Sequence, residues 1–290
     1  MPVSYRVMGV VNVTPDSFSD GGQFLRSDAA VAHARRLVAQ GADILDIGGE
    51  STRPGAEPVS ADEELRRVLP VLEGIAAGGW IGGGQVSIDT SKASVARAAI
   101  AAGASIVNDV SALRADSSMA EVLAQSGCEC CLMHMRGEPR TMQRDPAYDD
   151  VVADVKRFLE ERMRFALAAG IAEERIMLDP GIGFGKTIAH NLTLLRRLDE
   201  LCALGRPLVV GTSRKSFIGR ILADAVGARE PLPAGERLPG TIATSVLALE
   251  RGASVLRVHD VAPVREALTL AAATLGGRWT ARSLATTQTS

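Results

Sequence analysis

Residues 41–110 read GADILDIGGESTRPGAEPVSADEELRRVLPVLEGIAAGGWIGGGQVSIDTSKASVARAAIAAGASIVNDV, and three short apolar runs in this stretch are separated by two longer segments. The runs at 44–48, 86–89 and 106–110 are rich in Val, Ile and Leu, which is typical of strands buried on both faces. The segments at 61–75 and 91–102 repeat their apolar residues at helical spacing. Strict alternation of strand and helix predicts parallel strands.

The same alternation continues over nearly the whole chain. The predicted strands are 7–13, 44–48, 86–89, 106–110, 130–134, 176–179, 208–211 and 255–259. The predicted helices are 28–40, 61–75, 91–102, 117–125, 149–169, 187–203, 239–251 and 262–275. Ser60 and Glu63 are expected to form a capping box at the second helix. Eight repeats predict a single-domain α/β fold, a (β/α)8 TIM barrel over residues 1–276, followed by a disordered polar tail at 277–290. A doubly wound open sheet is the alternative.

Composition and charge exclude several classes of function. The 290 residues carry 32 basic and 34 acidic side chains, and a formal net charge of −2 does not indicate binding to nucleic acid or an anionic membrane. No apolar run approaches the roughly 18 to 20 residues that cross a bilayer. Residues 1–6 lack the pattern of a signal peptide, so a cytoplasmic protein is expected. Three of the four cysteines lie within residues 128–131 without the second cluster typical of a zinc site, so buried thiols are expected.

A polar residue closes each of the eight apolar runs. These residues are Asn12, Asp46, Asp89, Asn108, His134, Asp179, Ser213 and His259. In a parallel barrel all C-terminal strand ends face one rim, where barrel enzymes assemble their sites. One or two such residues could be ordinary turn formers, but eight predict an enzyme with a polar mouth. Two interpretations of His134 are open: a residue that binds a ligand at the rim, or a structural imidazole.

The glycine-rich segment DPGIGFGKT at 179–187 resembles a nucleotide-binding loop at first sight. A Walker A pattern requires glycine at position 180, which is Pro180, and Lys186 occupies the third glycine position of the dinucleotide fingerprint. The segment therefore predicts a tight turn that leaves Asp179 at the rim, instead of a site for ATP or NAD.

Arg257 and His259 are two residues apart on the last predicted strand, so their side chains share one face. Barrel closure would place them beside Asn12 on the first strand. Arginine binds phosphate in a bidentate manner, and a neutral amide oxygen suits Mg²⁺, so this group predicts a phosphate or diphosphate site with magnesium at Asn12. The alternative is a structural ion pair of Arg257 with Asp260 or another acid at the rim.

A second set of polar residues lies on other strand ends. In the segment SRKS at 213–216, Arg214 and Lys215 open a helix, where a basic pair opposes the helix dipole and should meet a ligand or a carboxylate. A solvated charge run is the alternative. Asp89, Asn108 and Asp179 form a set of acceptors that suits a flat heterocycle with several N–H donors.

Eight segments together resemble one known family. They are MGVVNVTPDSFSDGG at 8–22, DIGGESTRPG at 46–55, VSIDT at 86–90, IVNDV at 106–110, LMHM at 132–135, LDPGIGF at 178–184, SRKS at 213–216 and RVHD at 257–260. In this order they are similar to the dihydropteroate synthase family over about residues 5–275. The resemblance implies a transferase of folate biosynthesis. Such an enzyme joins 6-hydroxymethyl-7,8-dihydropterin diphosphate to 4-aminobenzoate, giving 7,8-dihydropteroate and diphosphate.

The resemblance also implies a role for individual residues. The pterin would be held by Asp89, Asn108, Met133, Asp179, Phe184 and Lys215. The diphosphate would be held by Asn12, Thr52, Arg257 and His259, with Mg²⁺ at Asn12. The aminobenzoate site, where sulfonamides compete, would be formed by Phe18, Thr52, Arg53, Pro54 and Ser216. Asp16 and Ser17 would lie on a mobile loop, and the catalytic set would be Asp89, Asp179, Lys215, Arg257 and His259. A homodimer is expected.

Two further functions remain open at this level. A corrinoid-linked methyltransferase would bind methyltetrahydrofolate in a similar barrel, but it would not need the Phe18 loop or the segment at 213–216. A catalytically silent paralogue would bind a pterin or a partner without turnover, and the intact motifs argue against it. Residues 14–27 and 50–59 are long, rich in Gly, Pro and Ser, and expected to move over the mouth.

Overall fold

The computed structural model describes residues 4–14, 23–52, 55–138 and 140–276. Its strands are β1 (Arg6–Asn12), β2 (Ile44–Gly48), β3 (Gln85–Asp89), β4 (Ile106–Asp109), β5 (Glu129–Met133), β6 (Ile176–Asp179), β7 (Val209–Val210) and β8 (Val255–Val258). Its helices are α1 (Gln23–Ala39), α2 (Ala61–Gly78), α3 (Ala93–Ala101), α4 (Met119–Ser126), α5 (Val151–Ala168), α6 (Ile188–Arg196), α7 (Asp199–Cys202), α8 (Ser216–Ala225), α9 (Leu238–Glu250) and α10 (Val261–Gly276).

The eight strands form one parallel sheet that closes on itself. Hydrogen-bonded neighbours follow the order β6-β5-β4-β3-β2-β1-β8-β7, and a parallel bridge between Leu178 and Leu208 joins the two ends. The helices cover the outside, and their apolar faces form a large buried core with the outer faces of the strands. The (β/α)8 TIM barrel predicted from the sequence is therefore confirmed, and the open doubly wound sheet is wrong.

The inside of the barrel is filled in layers, because alternate residues of each strand point inward. At the N-terminal end Arg6 donates to Gln85 Oε1 at 2.7 Å, and Gln85 donates to Glu129 Oε1 at 2.7 Å. The next layer is apolar and buried: Met8, Ile44, Ile106, Cys131, Met177, Val209 and Val255. This packed interior closes the lower barrel, so a ligand must bind at the C-terminal rim.

Most helix boundaries lie within three residues of the predicted ones, and two regions differ by more. Helix α1 begins at Gln23 instead of residue 28, since no glycine or proline follows Gly22 to stop it. The single helix predicted at 187–203 is wrong, because α6 ends at Arg196 and α7 begins at Asp199. At this break the Arg197 guanidinium contacts Asp150, the N-cap of α5, at 2.9 Å. The break is held by a tertiary ion pair that no local signal predicts.

The predicted capping box at α2 forms only in part. The Ser60 hydroxyl accepts the Glu63 N–H at 3.2 Å, but the Glu63 carboxylate pairs with Arg67 at 2.7 Å. A complete capping box instead joins Thr187 and His190 at α6. Among the described residues, no helix has the length and apolar character to span a membrane.

The cysteines are free thiols, as expected. Cys128, Cys130 and Cys131 are buried on and beside β5, while Cys202 in α7 is half-buried. Burial raises the pKa of Cys130 to about 12, so its thiol stays protonated at neutral pH. These residues therefore pack as small apolar side chains.

Candidate active site at the barrel mouth

The eight polar residues lie on the strands or directly after them, toward their C-terminal ends, and Asp46 lies two residues before the end of β2. Five of them are on β1 to β4 and β6, and the others follow β5, β7 and β8 within three residues. Strand register pairs Asp89 with both Gly48 and Asn108, and pairs Met133 with Asp179. Parallel pairing thus brings residues that are distant in sequence to one rim.

Arg257 lies at the centre of this rim and pairs with two carboxylates. Its Nε contacts Asp46 Oδ2 at 2.6 Å, and its Nη2 contacts Asp89 Oδ2 at 2.8 Å. Asp46 is completely buried, and its Oδ1 accepts no hydrogen bond from the described residues. Burial, together with the nearby Asp46, raises the pKa of Asp89 to about 8 against the opposing effect of Arg257. The ion-pair alternative for Arg257 is therefore realised, but with these two acids and not with Asp260.

Asp46 contacts two of the predicted site residues, Asn108 and Arg257, which its position in the sequence alone does not reveal. Besides Arg257, its Oδ2 accepts a hydrogen bond from Asn108 Nδ2 at 3.2 Å. This bond fixes the Asn108 amide, so that its Oδ1 is the acceptor offered to a ligand. A polar residue in an apolar run was the available signal, but the partners of Asp46 lie on β4 and β8 and only the barrel brings them together.

The opposite wall of the mouth is formed by Asp179, Lys215 and Phe184. Asp179 Oδ1 accepts the Gly181 N–H at 2.6 Å, and Lys215 donates to the Ile182 carbonyl. The Lys215 ammonium lies 4.7 Å from the centre of the Phe184 ring, a cation–π contact. Burial raises the pKa of Asp179 and lowers that of Lys215 to about 8.

An apolar patch lies between these polar groups. Phe184 and Val110 pack against a buried methionine cluster of Met133, Met135 and Met142. Methionine is soft and adaptable, and an aromatic ring offers a flat face, so the patch suits a planar ring system. With Asp89, Asn108, Asp179 and Lys215 around it, the mouth can hold a flat heterocycle by stacking and by hydrogen bonds at its edge.

The turn 179–187 requires glycine at two positions, Gly181 and Gly185, and a Cβ at Gly185 (φ +62°) would lie 2.3 Å from the Arg136 carbonyl oxygen. Gly181 has φ +65°, and a Cβ there would lie 1.8 Å from the His134 carbonyl oxygen. Gly183 donates its N–H to the buried Asn191 Oδ1 at 2.7 Å. The turn brings Ile182 and Phe184 against Lys215, which confirms a tight turn.

His134 is a structural imidazole. Its Nδ1 lies 2.9 Å from Lys186 Nζ, which also donates to the Phe184 carbonyl at 3.0 Å. Both side chains are buried, and burial lowers the pKa of His134 to about 2, so the ring is neutral. Lys186, which the sequence-based reasoning treated only as part of a failed nucleotide motif, supports the turn that carries Phe184.

The third side of the mouth is formed by Asn12, Ser213 and His259. His259 Nδ1 lies 3.0 Å from Ser213 Oγ, which also accepts the His259 N–H at 3.1 Å. When the hydroxyl proton is directed to Nδ1, the neutral ring carries its proton on Nε2, where it can donate to an anion. A Cβ at Gly48 would lie 3.8 Å from Asn12 Oδ1 and 3.6 Å from Asp89 Cβ, so the missing side chain leaves room between them.

The two basic residues of the segment at 213–216 have different partners. Arg214, at φ +59°, makes a bidentate ion pair with Asp260 at 2.9 and 2.6 Å. Lys215 turns to the side of the mouth that contains Asp179. The Arg214 charge thus has a carboxylate partner, and the Lys215 charge faces the candidate ligand site. The alternative prediction, a solvated charge run, is wrong for Arg214. Ser216 is exposed at the start of α8.

Several predicted site residues are not placed by the structure. Asp16, Ser17, Phe18, Arg53 and Pro54 lie outside the described residues, as does the predicted tail at 277–290. Thr52 is described and half-buried.

The described residues offer few protein ligands for the predicted Mg²⁺. Among residues 4–14, 27–52, 55–138 and 140–276, no group of three or more His, Cys, Asp or Glu side chains could hold a metal ion. Mg²⁺ commonly keeps waters and binds substrate phosphates with few protein ligands, so the amide oxygen of Asn12 fits such a shared site.

We expect Lys215 to titrate at an unusually low pH. Because burial lowers its pKa to about 8, the amine should be charged below pH 8 and neutral above it. The chain has only four lysines, so ¹³C NMR of the reductively methylated protein can resolve each one, with Lys215→Arg assigning the signal. Asp179→Asn should lower the midpoint further, since the Asp179 charge raises this pKa. A Lys215 signal that does not titrate below pH 10 would contradict this assignment.

Comparisons with known proteins agree with this geometry. A family model described as pterin binding enzyme matches residues 8–259. The chain is 48% identical to dihydropteroate synthase of Escherichia coli (strain K12) over 272 residues, which cover 94% of this chain and 92% of that one. The Yersinia pestis dihydropteroate synthase structure in complex with a sulfonamide drug has a TM-score of 0.86 and 45% identity, covering 94% and 95% of the chains. The Xanthomonas albilineans enzyme with 4-aminobenzoic acid has a TM-score of 0.85 and 50% identity, covering 93% of each.

These matches extend over nearly the full length of both partners, and they include all eight strands. The identities are far above the level at which only the fold is shared. The chain therefore belongs to the pterin-binding enzyme family and, within it, to the dihydropteroate synthases.

Proposed function

We propose that the chain condenses 6-hydroxymethyl-7,8-dihydropterin diphosphate with 4-aminobenzoate, releasing diphosphate and forming 7,8-dihydropteroate. The observation that carries the proposal is the adjacency of two subsites. A slot with Asp89, Asn108 and Asp179 at its edge lies directly beside the Arg257 guanidinium, which contacts Asp89 at 2.8 Å. A heterocycle in the slot would thus present its leaving group to a cation. The 4-aminobenzoic acid bound to the Xanthomonas albilineans relative supports the second substrate.

The pterin is proposed to bind with its N–H groups toward the acceptors. Asp179 and the Asn108 Oδ1 accept hydrogen bonds, while the Lys215 ammonium donates to a ring carbonyl or nitrogen. Met133 and Phe184 contact the ring face. The buried carboxylate of Asp179 gains hydrogen-bond donors in this complex, so the desolvation that raises its pKa is offset.

The diphosphate is proposed to bind between Asn12, Thr52, Arg257 and His259. Arg257 offers the part of its guanidinium that Asp46 and Asp89 do not occupy, and His259 donates from Nε2. Mg²⁺ at Asn12 would neutralise charge on the diphosphate and so make it a better leaving group. Charged donors held in place by buried partners need little reorganisation when the leaving-group charge develops.

The reaction is proposed to pass through a pterin cation. The C–O bond to diphosphate breaks, and the electron-rich pterin carries the positive charge on its methylene. Asp179 lies near this ring, and its carboxylate favours a positive charge electrostatically. The arylamine then attacks the methylene and loses a proton to water. No nucleophilic side chain and no covalent enzyme intermediate are required.

The aminobenzoate site is proposed to form last. Phe18, Thr52, Arg53 and Pro54 belong to the two predicted mobile loops, and Ser216 at the N-terminus of α8 would receive the carboxylate. Loop closure would also keep water from the cation. We therefore expect 4-aminobenzoate to bind measurably only when magnesium diphosphate and a pterin are present, as tested by isothermal titration calorimetry. Strong and unchanged binding to the empty protein would contradict this order.

Turnover distinguishes the proposed function from its alternatives. The protein is incubated with both substrates and Mg²⁺, and 7,8-dihydropteroate is measured by mass spectrometry. We expect product that depends on 4-aminobenzoate. Pterin binding without product would indicate a silent paralogue, whereas methyl transfer from methyltetrahydrofolate to a corrinoid would indicate the methyltransferase.

We further propose a cytoplasmic homodimer. Leu247 on α9 and Leu270 on α10 are 49% and 71% exposed, on two helices that pack against each other. Leucines on adjoining helices favour a contact between copies of the chain. Size-exclusion chromatography with light scattering measures this state directly.

A further inference from the structure

The segment between β7 and α8 makes a tight turn with an arginine at a position that favours glycine. The Lys215 N–H donates to the Thr212 carbonyl at 3.1 Å, so residues 212–215 form a four-residue turn. Arg214 is the third residue of this turn and has φ +59°. Glycine or asparagine is usual at a third position with positive φ, because a larger side chain makes this conformation costly. The arginine side chain must therefore contribute something that glycine would not.

The Arg214 backbone is fixed on both sides by residues at the start of α9. Its N–H donates to Thr241 Oγ1 at 3.1 Å, and its carbonyl accepts a hydrogen bond from Arg237 Nη1 at 2.8 Å. Thr241 is completely buried, and Arg237 also donates to the Leu232 carbonyl at 2.7 Å. A strained conformation persists where the surrounding structure over-determines it, and such residues cluster at functional sites. The left-handed backbone of Arg214 is thus held by contacts from outside the turn.

The Arg214 side chain crosses to the end of β8, where it makes its bidentate ion pair with Asp260. The residue before it, Ser213, contacts His259 at both the backbone N–H and Nδ1. Two consecutive residues after β7 therefore contact two consecutive residues after β8. The Arg214 and Asp260 side chains are 39% and 25% exposed, so water screens their charges and the pair contributes little to stability. The ion pair sets the geometry of the turn more than it stabilises the fold.

We propose that Arg214 is a positioning residue for both parts of the pterin diphosphate. On one side of it in the turn, Lys215 forms part of the pterin slot. On the other side, Ser213 holds His259 toward the diphosphate. The ion pair with Asp260 selects one conformation of the turn and so places both groups together. This inference rests on the proposed function, which assigns Lys215 to the pterin and His259 to the diphosphate.

The test compares two variants that break the ion pair from opposite ends. Arg214→Gly removes the side chain but can adopt the same φ without strain, and Asp260→Ala leaves Arg214 in place. Both variants should keep a melting temperature within about 3 °C of the wild type. Calorimetry should show that each binds phosphate-free 6-hydroxymethylpterin about tenfold more weakly, the loss typical of a charged hydrogen bond, and magnesium diphosphate more weakly too. The double variant should lie within about twofold of the single variants, because the two residues act as a unit.

Arg157→Ala is the matched control for loss of an arginine–aspartate pair. Arg157 is on α5, its side chain is 71% exposed, and it pairs with Asp154. This variant should match the wild type with both ligands. An unchanged affinity of Arg214→Gly for either ligand would overturn the inference.

The titration midpoint of Lys215, measured by ¹³C NMR of the methylated protein, separates position from charge. Arg214→Gly removes a positive charge and Asp260→Ala removes a negative one, so charge effects alone would move the pKa of Lys215 in opposite directions. Displacement of the ammonium from its buried position should instead raise the midpoint in both variants, from about 8 toward the ordinary value of lysine. Midpoints that move in opposite directions, or do not move, would contradict positioning. These measurements do not require turnover, so a wild type that forms no dihydropteroate would overturn the proposed function alone.

Discussion

Asp179→Asn is expected to lower pterin affinity by about a hundredfold. The amide keeps the shape of the side chain but presents a donor where the ligand needs an acceptor, and it removes a charge. A charged hydrogen bond contributes about 1.5 to 3 kcal/mol, and an unpaired donor in the slot adds to the loss. Because the Asp179 charge raises the pKa of Lys215, the variant also removes a negative charge that favours the charged ammonium.

Calorimetry with a phosphate-free 6-hydroxymethylpterin measures this effect without the diphosphate subsite. Asp62→Asn on the exposed face of α2 is the matched control, since it removes the same charge from an exposed side chain. Unchanged pterin affinity in a folded Asp179→Asn protein would remove Asp179 from the pterin site.

Arg257→Lys is expected to reduce kcat by about a hundredfold or more, a typical loss when a preorganised donor to the developing negative charge is removed. Lysine keeps a positive charge between Asp46 and Asp89 but lacks the planar fork that can bind both carboxylates and a phosphate together. Arg257→Ala is a poorer test, because it leaves two buried carboxylates without their guanidinium partner and should destabilise the fold by about 3 to 5 kcal/mol.

The turnover of Arg257→Lys is measured at saturating concentrations of both substrates, beside a urea unfolding curve. The control is Lys156→Arg on α5, which is the reverse substitution at a position away from the mouth. A kcat within about twofold of the wild type, with an intact fold, would show that Arg257 supports the rim and not the leaving group.

The sequence predicted the barrel well because its fold depends on a repeated local pattern. Short Val- and Ile-rich runs alternate with helical segments. This alternation predicts parallel strands before any long-range contact is known. The break between α6 and α7 was missed because Arg197 reaches Asp150 through space, and no glycine or proline marks the position. Polar strand ends were likewise visible as a pattern before any contact was known.

The pairings at the mouth could not be derived from the sequence. Arg257 is 211 residues from Asp46, and its choice of Asp46 and Asp89 over Asp260 follows from the barrel register. Asp260 instead binds Arg214, whose left-handed backbone turns its side chain toward that carboxylate. The contacts of Asp46 and Lys186 arise from side chains that meet only after the strands have closed.

The proposed condensation is tested most directly by one reaction in H₂¹⁸O. The wild-type protein is incubated with pterin diphosphate, 4-aminobenzoate and Mg²⁺, and all products are quantified by mass spectrometry. The account predicts equal amounts of 7,8-dihydropteroate and diphosphate, with no ¹⁸O in either, because the amine attacks the methylene carbon and water attacks nothing. Labelled 6-hydroxymethylpterin or labelled phosphate in place of dihydropteroate, or no product at all, would contradict it.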